Sequence, residues 1–563
     1  MQANTRNSFV ISRALRNFLA ASILTSLASQ LAVTTDAVIV SHMIGPDAIS
    51  AINITMPVNM LFSCVSILIG LGASILAARA IGQHDNNKVN HIFSVSMLLL
   101  ALLGIAVSVT TYIWSEEIIS SFCTDTRVYP LAVEYTNVIT AGAIFLIFSN
   151  GINYFVSTDG NPSLVARGVV VGAVANIILD IILVHFMGIA GSALATIINY
   201  TITLAVVATH FRKKSSSYRL VNPLRGLARQ CMKNIYEGLP LMLGNLLLGL
   251  AVLAINKMIL SASGADGLYI WSICLQVLMI TFVVLNGVGN AMLSIGGVLV
   301  GEKDYNGVRI LTSLSLKFVC SVLALFVATV IIYPQFLGYI FGNGTGQNIQ
   351  GVDNALRIFS LLLIPFAVTL TMRFLFQILE YRILSLVMSA GQLAFIIACL
   401  WIFIEVAPGK LWWSFPFSAI MLIAIQIATT LVLWLKRKNI SPITLIPGKD
   451  NSSIDLSISY TATGIEKATA KIREFLNNDV ENKTIEVYIE NLKRIMTEVI
   501  DMNCDKKHCF DMHIKTIKGN VTATLRATGK KFVETEFTKT LSHTVEFKYM
   551  HGQNVLFITP AME

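Results

Sequence analysis

The stretch LAVTTDAVIVSHMIG, residues 31–45, carries one aspartate, Asp36, among apolar neighbours. From Leu15 to Val40 there is no other acidic side chain, and the only base is Arg16. A second polar intrusion lies in GVVVGAVANIILDIILVHFMGIAGSALATIINY, residues 168–200. There Asn176 and Asp180 are four residues apart and share one helix face. Asp180 precedes Gly188 by eight residues and Thr196 follows it by eight. An antiparallel helix pair turning at MGIAG holds both at one depth, roughly 12 Å below the turn. Asp36 precedes Gly45 by nine residues, which gives a similar depth of roughly 13 Å. Asp36, Asn176, Asp180 and Thr196 are therefore expected at one level. Hard cations take carboxylate, amide and hydroxyl oxygens, so Asp36 and Asp180 are candidate ligands of Na⁺. The same pair suits H⁺, because two close carboxylates in a dry site do not both ionise cheaply. The alternative is that each aspartate makes a private structural hydrogen bond.

The elements that must carry these residues follow from composition. The chain has 563 residues, 55% hydrophobic and only 13% charged, about half the charged fraction usual in a soluble protein. Apolar runs long enough to cross about 30 Å of hydrocarbon recur along it. About twelve spans are expected, with approximate cores at 15–43, 51–80, 90–114, 129–156, 163–186, 189–211, 238–262, 268–299, 309–333, 352–379, 382–404 and 412–435. Arg6, Arg13 and Arg16 precede the first span, seven bases from Arg212 to Lys233 fill the middle connection, and Lys436, Arg437 and Lys438 follow the last. By the positive-inside rule these regions are cytoplasmic, as are both termini. The formal charge of +9 is explained by this topology, and no nucleic-acid partner is expected. The eight cysteines are scattered and suggest no disulfide framework. Cys504, His508, Cys509 and His513 crowd one stretch, but their spacing fits no common zinc pattern.

The membrane part looks duplicated. IGPDAIS at 44 is echoed by SGADGLY at 263, and IGQHDNNKV at 81 by VGEKDYNGV at 300. Gly45/Gly264, Asp47/Asp266, Gly70/Gly289, Gly82/Gly301, Asp85/Asp304 and Asn87/Asn306 are all separated by the same 219 residues. Six spans per copy keep both copies in one orientation, a transporter arrangement with substrate between the halves. The expected fold is an all-α polytopic membrane protein of two pseudo-symmetric six-helix lobes. The lobes are 1–211 and 238–435, joined by a connection at 212–237. A polar linker, 436–452, leads to a small α+β domain at 453–563 read as cytosolic, where IDLSISY and two later segments alternate as strands and two segments have helical spacing. Lys257, near the repeat counterpart of Asp36, is a candidate cation of the C-terminal lobe. Arg373 and Glu380, seven apart, are expected to be solvated or paired at the inner interface.

TDAVIVSHMIGPDAISAINITMP, GLGASILAARAIGQHD and DGNPSLVARGVVVGAVANIILDIILVHFMGIAGSALAT resemble the multidrug and toxic compound extrusion (MATE) transporters. The likeness spans about 15 to 435 and is strongest in the first half. It implies a V-shaped central cavity and efflux of organic, cationic or amphipathic compounds in exchange for Na⁺ or H⁺, by a monomeric transport unit in the cell membrane among lipids. In prokaryotic members, residues matching Asp36, Asn176, Asp180 and Thr196 form an N-lobe cation site. Where some relatives carry acidic residues in helices seven and ten, this chain has Asn245 and no clear carboxylate, so Asn245 is a candidate C-lobe contributor. The tail resembles, more faintly, the anti-sigma-factor type of GHKL ATPase domain. Ala527 stands where that family's adenine-binding Asp would be, and Met502 where a Mg²⁺-binding Asn would be. The expectation is a degenerate docking or regulatory module with an unknown cytosolic partner. The chain is read as a carrier rather than an enzyme, with no cofactor beyond the coupling ion. The alternatives are a membrane sensor that controls the cytosolic domain and a lipid-linked precursor flippase.

Overall fold

A computed structural model describes residues 6–123, 125–213, 216–337, 351–437, 439–448, 452–477, 482–502, 509–517, 520–528, 531–532 and 545–558. Ten of its helices are long and apolar enough to cross a membrane, and the bent pair Val128–Ala141 and Ala143–Thr158 makes one more span. The longest helix, Leu227–Glu302, has 76 residues and is interrupted at Gly264, where φ is 64°. That backbone is open to glycine and strained for other residues, so the helix is two antiparallel spans joined by a turn. Spans one to six are Phe9–Met43, Pro46–Gly82, Asn86–Ile113, the bent pair, Pro162–Met187 and Ile189–Arg212. Spans seven and eight are 227–263 and 265–302, and spans nine to twelve are Tyr305–Ile332, Val352–Ile378, Arg382–Val406 and Pro408–Lys436. The fold is the expected two-lobed, all-α polytopic bundle with a small α+β tail.

The duplication is visible in backbone detail. His84 and Lys303 both have left-handed φ, 57° and 63°. The next residue in each copy caps a helix: the Asp85 carboxylate accepts from the Lys88 amide and Asp304 from the Gly307 amide. These two loops lie side by side. A Cβ on Gly82 would stand 2.1 Å from the Val298 carbonyl oxygen and 3.0 Å from Gly301 Cα.

Three elements differ from the sequence reading. Span four bends by 54° between Ala141 and Ala143 instead of running straight. Span seven starts at Leu227, so the second half of the supposed 212–237 connection is helix. The polar linker is anchored, because Leu445 and Ile446 are fully buried in the core of the C-terminal lobe.

The tail has a five-stranded antiparallel sheet in the order β1-β2-β3-β5-β4 (Ser453–Ser459, Cys509–Ile517, Asn520–Thr528, Gln553–Ile558, Val545–Met550). Phe510, Met512, Ile514, Leu525 and Leu556 face the helices Ala462–Leu476 and Asn482–Met502. Strand alternation then sends Asp511, His513, Lys515, Arg526 and Phe557 to the opposite face. A lone sheet would leave that face in water, yet each of these residues is under one-tenth exposed. The membrane bundle covers it. Phe557 lies 3.9 Å from the His84 ring, the His551 amide donates to the Gly160 carbonyl at 3.1 Å, and Gln553 donates to the Val10 carbonyl at 2.5 Å.

Burial, with the nearby Lys548 and Arg526 and against the opposing Glu546, holds His84 down to about 4. Burial likewise holds His551 at about 4, with Arg526 adding to it and Asp159 opposing. An ordinary imidazole takes its proton near about 6.5. Between about 6.5 and 4 the undocked histidines bind protons that the docked ones refuse, so this half of the interface weakens as pH falls through that window. His513 acts in the opposite sense. Burial disfavours its charge, but Asp455, Asp304 and Glu302 raise it, so its contribution is complete below about 6.5 and fades as pH rises through its higher docked value. Acidification from about pH 7 to about pH 5 is therefore expected to separate the tail from the His84 loop before it separates from Asp304. Spin-label distances from the tail to each loop measure this. His551→Asn, which tolerates the left-handed backbone there, should reduce the effect.

Candidate functional site

Spans one, four, five and six bring the polar residues of the N-terminal lobe together. Asp180 is fully buried, Asn176 is 3% exposed and Asp36 9%. The Ser192 hydroxyl donates to Asp36 Oδ1 at 2.6 Å. Asp36 and Asp180 lie close enough for their charges to interact. Neither Asp180 oxygen has a hydrogen-bond partner among the described residues, and neither does Asn176 Nδ2. The Tyr135 phenol stands beside Thr196 and within electrostatic reach of both aspartates. The four residues singled out in the sequence thus surround one locus, and Tyr135 and Ser192 join them. Those two were missed because a tyrosine or serine in a membrane helix is no rarity. The available signal was that Ser192 lies one helical turn before Thr196 on the same face.

An unpartnered carboxylate in a protein interior is expensive. Asp180 is doubly so, since the second carboxylate supplies no donor. The donor set of two carboxylates, an amide and hydroxyls fits a hard monovalent cation or a shared proton.

Among the described residues the C-terminal lobe offers no equivalent. At the repeat offset Asp36 corresponds to Ile255, which is buried in that lobe's core. Asn245 stands near the Cys64 thiol of the other lobe. Lys257 is exposed, twelve residues further along the same span, so the two do not converge on one site. Arg373 and Glu380 are not a pair. Arg373 donates to the Ser389 hydroxyl at 2.9 Å, and Glu380 accepts from Arg79 at 3.1 Å.

Arg79 belongs to a second constellation, on the tail side between the lobes. Its two terminal nitrogens donate to both oxygens of Glu237 at 2.9 and 3.2 Å, and one also to the Gln377 carbonyl at 2.6 Å. Arg382 donates to Glu237 at 2.5 Å. Around this network the backbones touch: a Cβ on Gly72 would stand 2.5 Å from Gly238 Cα. The lobes are closed on each other here, and spans two, seven, ten and eleven share one buried carboxylate.

The MatE family model matches residues 21–182 and 240–404, more than half of the chain. The chain belongs to the MATE family. Among its relatives, the multidrug export protein MepA of Staphylococcus haemolyticus is 26% identical over 219 residues, which is 38% of this chain and 47% of that protein. MepA of Staphylococcus aureus strain MSSA476 is 27% identical over 219 residues, 38% of this chain and 48% of that protein. The matched stretch of this MATE chain spans about half the length of these curated relatives. A solved outward-facing multidrug resistance MATE transporter superposes with a TM-score of 0.68 at 22% identity, covering 74% of this chain and 94% of that one. A superfamily transporter from Pyrococcus furiosus, described as having a binding pocket of reverse polarity, also gives 0.68 at 22% identity over 77% of this chain and 99% of that one. At such identities the structures establish the shared fold.

In the tail, Ala527 is fully buried in the core under the two helices. Cys504 and His508 lie outside the described residues, and His513 instead gives Nδ1 to Asp455 at 2.8 Å. Two outcomes follow from these constellations. Glu237→Gln should cost up to about 3–5 kcal/mol by leaving Arg79 and Arg382 with only the exposed Glu380 carboxylate as counter-charge, read as a lower melting temperature in detergent. The full-length protein should not bind a fluorescent ATP analogue with Mg²⁺, because Ala527 has no acceptor side chain and Met502 no hard oxygen. Saturable analogue binding that excess ATP displaces would refute the second.

Proposed function

We propose that this chain is a secondary active exporter, an antiporter that moves organic cationic or amphipathic compounds outward in exchange for Na⁺ or H⁺. The observation that carries the reading is the buried, partnerless Asp180 carboxylate beside Asp36. An ionisable group inside a membrane span is functional by default, and among the described residues this one lacks the hydrogen-bond partner that would make it structural. The names of the MepA relatives support drug export, and the charge-interacting aspartates support ion coupling. The positions of Lys and Arg support a cell-membrane protein with both termini in the cytoplasm. The transport unit is a single chain among lipids.

Loading one cation or one proton removes one unit of negative charge from the Asp36–Asp180 pair, and this lowers the cost of keeping it dry. The loaded and empty lobes then prefer different helix arrangements, and a ligand shifts such an equilibrium only by its differential affinity for the two states. Tyr135 and Thr196 stand next to the same locus, so the helix that carries each is placed to follow the change.

The test is efflux driven by imposed Na⁺ or pH gradients in vesicles containing Asp36→Asn, Asp180→Asn and the double variant. Asparagine keeps size and hydrogen bonding while removing the charge. If both aspartates hold one ion, either single change abolishes coupled efflux and the double adds nothing further. Thr196→Ala should be milder, because water can replace a neutral ligand. Near-normal coupled efflux in either single variant, with normal expression, would return these residues to a structural role.

A further inference from the structure

The repeated loops 81–87 and 300–306 are the places where the tail meets the two lobes. In the N-terminal lobe, Phe557 covers His84, and Asn86 donates to Glu546 at 3.1 Å and accepts from Lys548 at 3.2 Å. In the C-terminal lobe, Arg526 pairs with Glu302 and reaches Asp304 at 3.4 Å. Arg6, ahead of span one, is fully buried at the seam. It donates to Asp304 at 2.6 Å on the bundle and to Asp511 at 3.1 Å and Asp455 at 3.4 Å on the tail. Burial works against the charge on Asp304, but Arg6, His513 and Arg526 hold its carboxyl well below the usual carboxylate range. One rigid sheet thus grips both lobes across the seam where Gly82 meets Gly301.

These contacts use residues that a simple carrier would not need. Arg526 and Asp511 sit on the sheet face that strand alternation would give to water, and their partners are Glu302 at the end of span eight, Asp304 in the loop after it, and Arg6 ahead of span one. A tail that merely hung from its linker would need one anchor, and Leu445 and Ile446 already supply it. The second and third attachments, one per lobe, do something an anchor does not: they fix the distance between the lobes.

We propose that the tail sheet is an autoinhibitory clamp that holds the cytoplasmic side of the bundle shut until it releases at least one lobe. The proposal rests on the exporter reading in one respect, that a substrate from the cytoplasm enters only when the lobes part on that side. With the sheet on both loops they cannot part. With the sheet on one loop they can, and the tail then rides on a single lobe through the cycle. The conformational energy of the closed state is therefore shared between the Arg79–Glu237 network and the clamp, and any partner that binds the undocked sheet face raises transport by mass action.

The clamp is tested on the full-length chain with its eight native cysteines changed to serine. Spin labels at Lys88→Cys and Arg309→Cys report the separation of the lobes on the tail side, with and without Arg526→Glu. The expected result is a longer-distance population that grows when Arg526→Glu repels Glu302 and Asp304. An unchanged distance distribution, with the tail shown to be released by protease accessibility of the linker, overturns the clamp. A parallel set replaces the labels with a short reducible cross-linker between Asn86→Cys and Glu546→Cys, between Glu302→Cys and Arg526→Cys, or both. Linking both lobes to the tail should stop dye efflux until the linker is reduced, and linking the first pair alone should not. Efflux at the unlinked rate with both links in place overturns the clamp. Absence of efflux in the unlinked chain counts against the exporter reading, while the label distances still decide the clamp.

Discussion

A charged group inside an apolar membrane protein must find a partner, and where each charge finds it organises this whole molecule. Insertion scales put the cost of one aspartate or arginine in mid-membrane at about 2.5–3.5 kcal/mol. The chain meets that cost in two ways. Between the lobes it pairs charges completely: Glu237 is shared by Arg79, Arg382 and Gln377. In the N-terminal lobe it leaves Asp180 without a hydrogen-bond partner among the described residues and sets Asp36 beside it. The paired site holds helices together, and the unpaired one leaves carboxylate oxygens without a donor among the described residues.

In the proposed transport cycle the two sites complement each other. A buried ion pair is costly to break by removing one member, so the Arg79 network favours a closed seam on the tail side. The aspartate pair has the opposite character, because its energy depends on what is loaded. On the proposed reading the lobes are strongly held on one side and still respond to a single cation near Asp36. Among the described residues the C-terminal lobe does not duplicate this chemistry. Ile255 occupies the place of Asp36, and Trp271 stacks on Phe415 at 5.1 Å in a compact aromatic cluster of that lobe. The two copies thus differ, one carrying the buried aspartate pair and the other aromatic packing.

Much of this was legible in the chain itself, for a definite reason. Polar atoms stand out against lipid-soluble neighbours, so Asp36, Asn176 and Asp180 were visible, and the turns at Gly45 and Gly188 fixed their depths. The constant spacing of Gly82 and Gly301 announced two copies before any helix was drawn. What escaped depends on distance in the chain or on a misleading pattern. Arg79 and Glu237 are 158 residues apart, and no local rule joins them. Arg373 and Glu380 read as solvated or paired at the inner interface, and their partners, Ser389 and Arg79, sit on other spans that no local rule points to. The tail strands alternate polar and apolar residues as a half-exposed sheet does, so Asp511, His513 and Arg526 read as solvent-facing. Only the presence of the bundle turns that face into an interface.

The central claim is that Asp36 and Asp180 together hold the coupling ion. The most direct measurement is infrared difference spectroscopy of the purified full-length protein as Na⁺ is added or pH is lowered. The account predicts a difference band from a carboxyl group changing protonation or ligation, present in the native chain and absent in both Asp36→Asn and Asp180→Asn. A band of undiminished size in either variant, or none in the native chain under either titration, would contradict it.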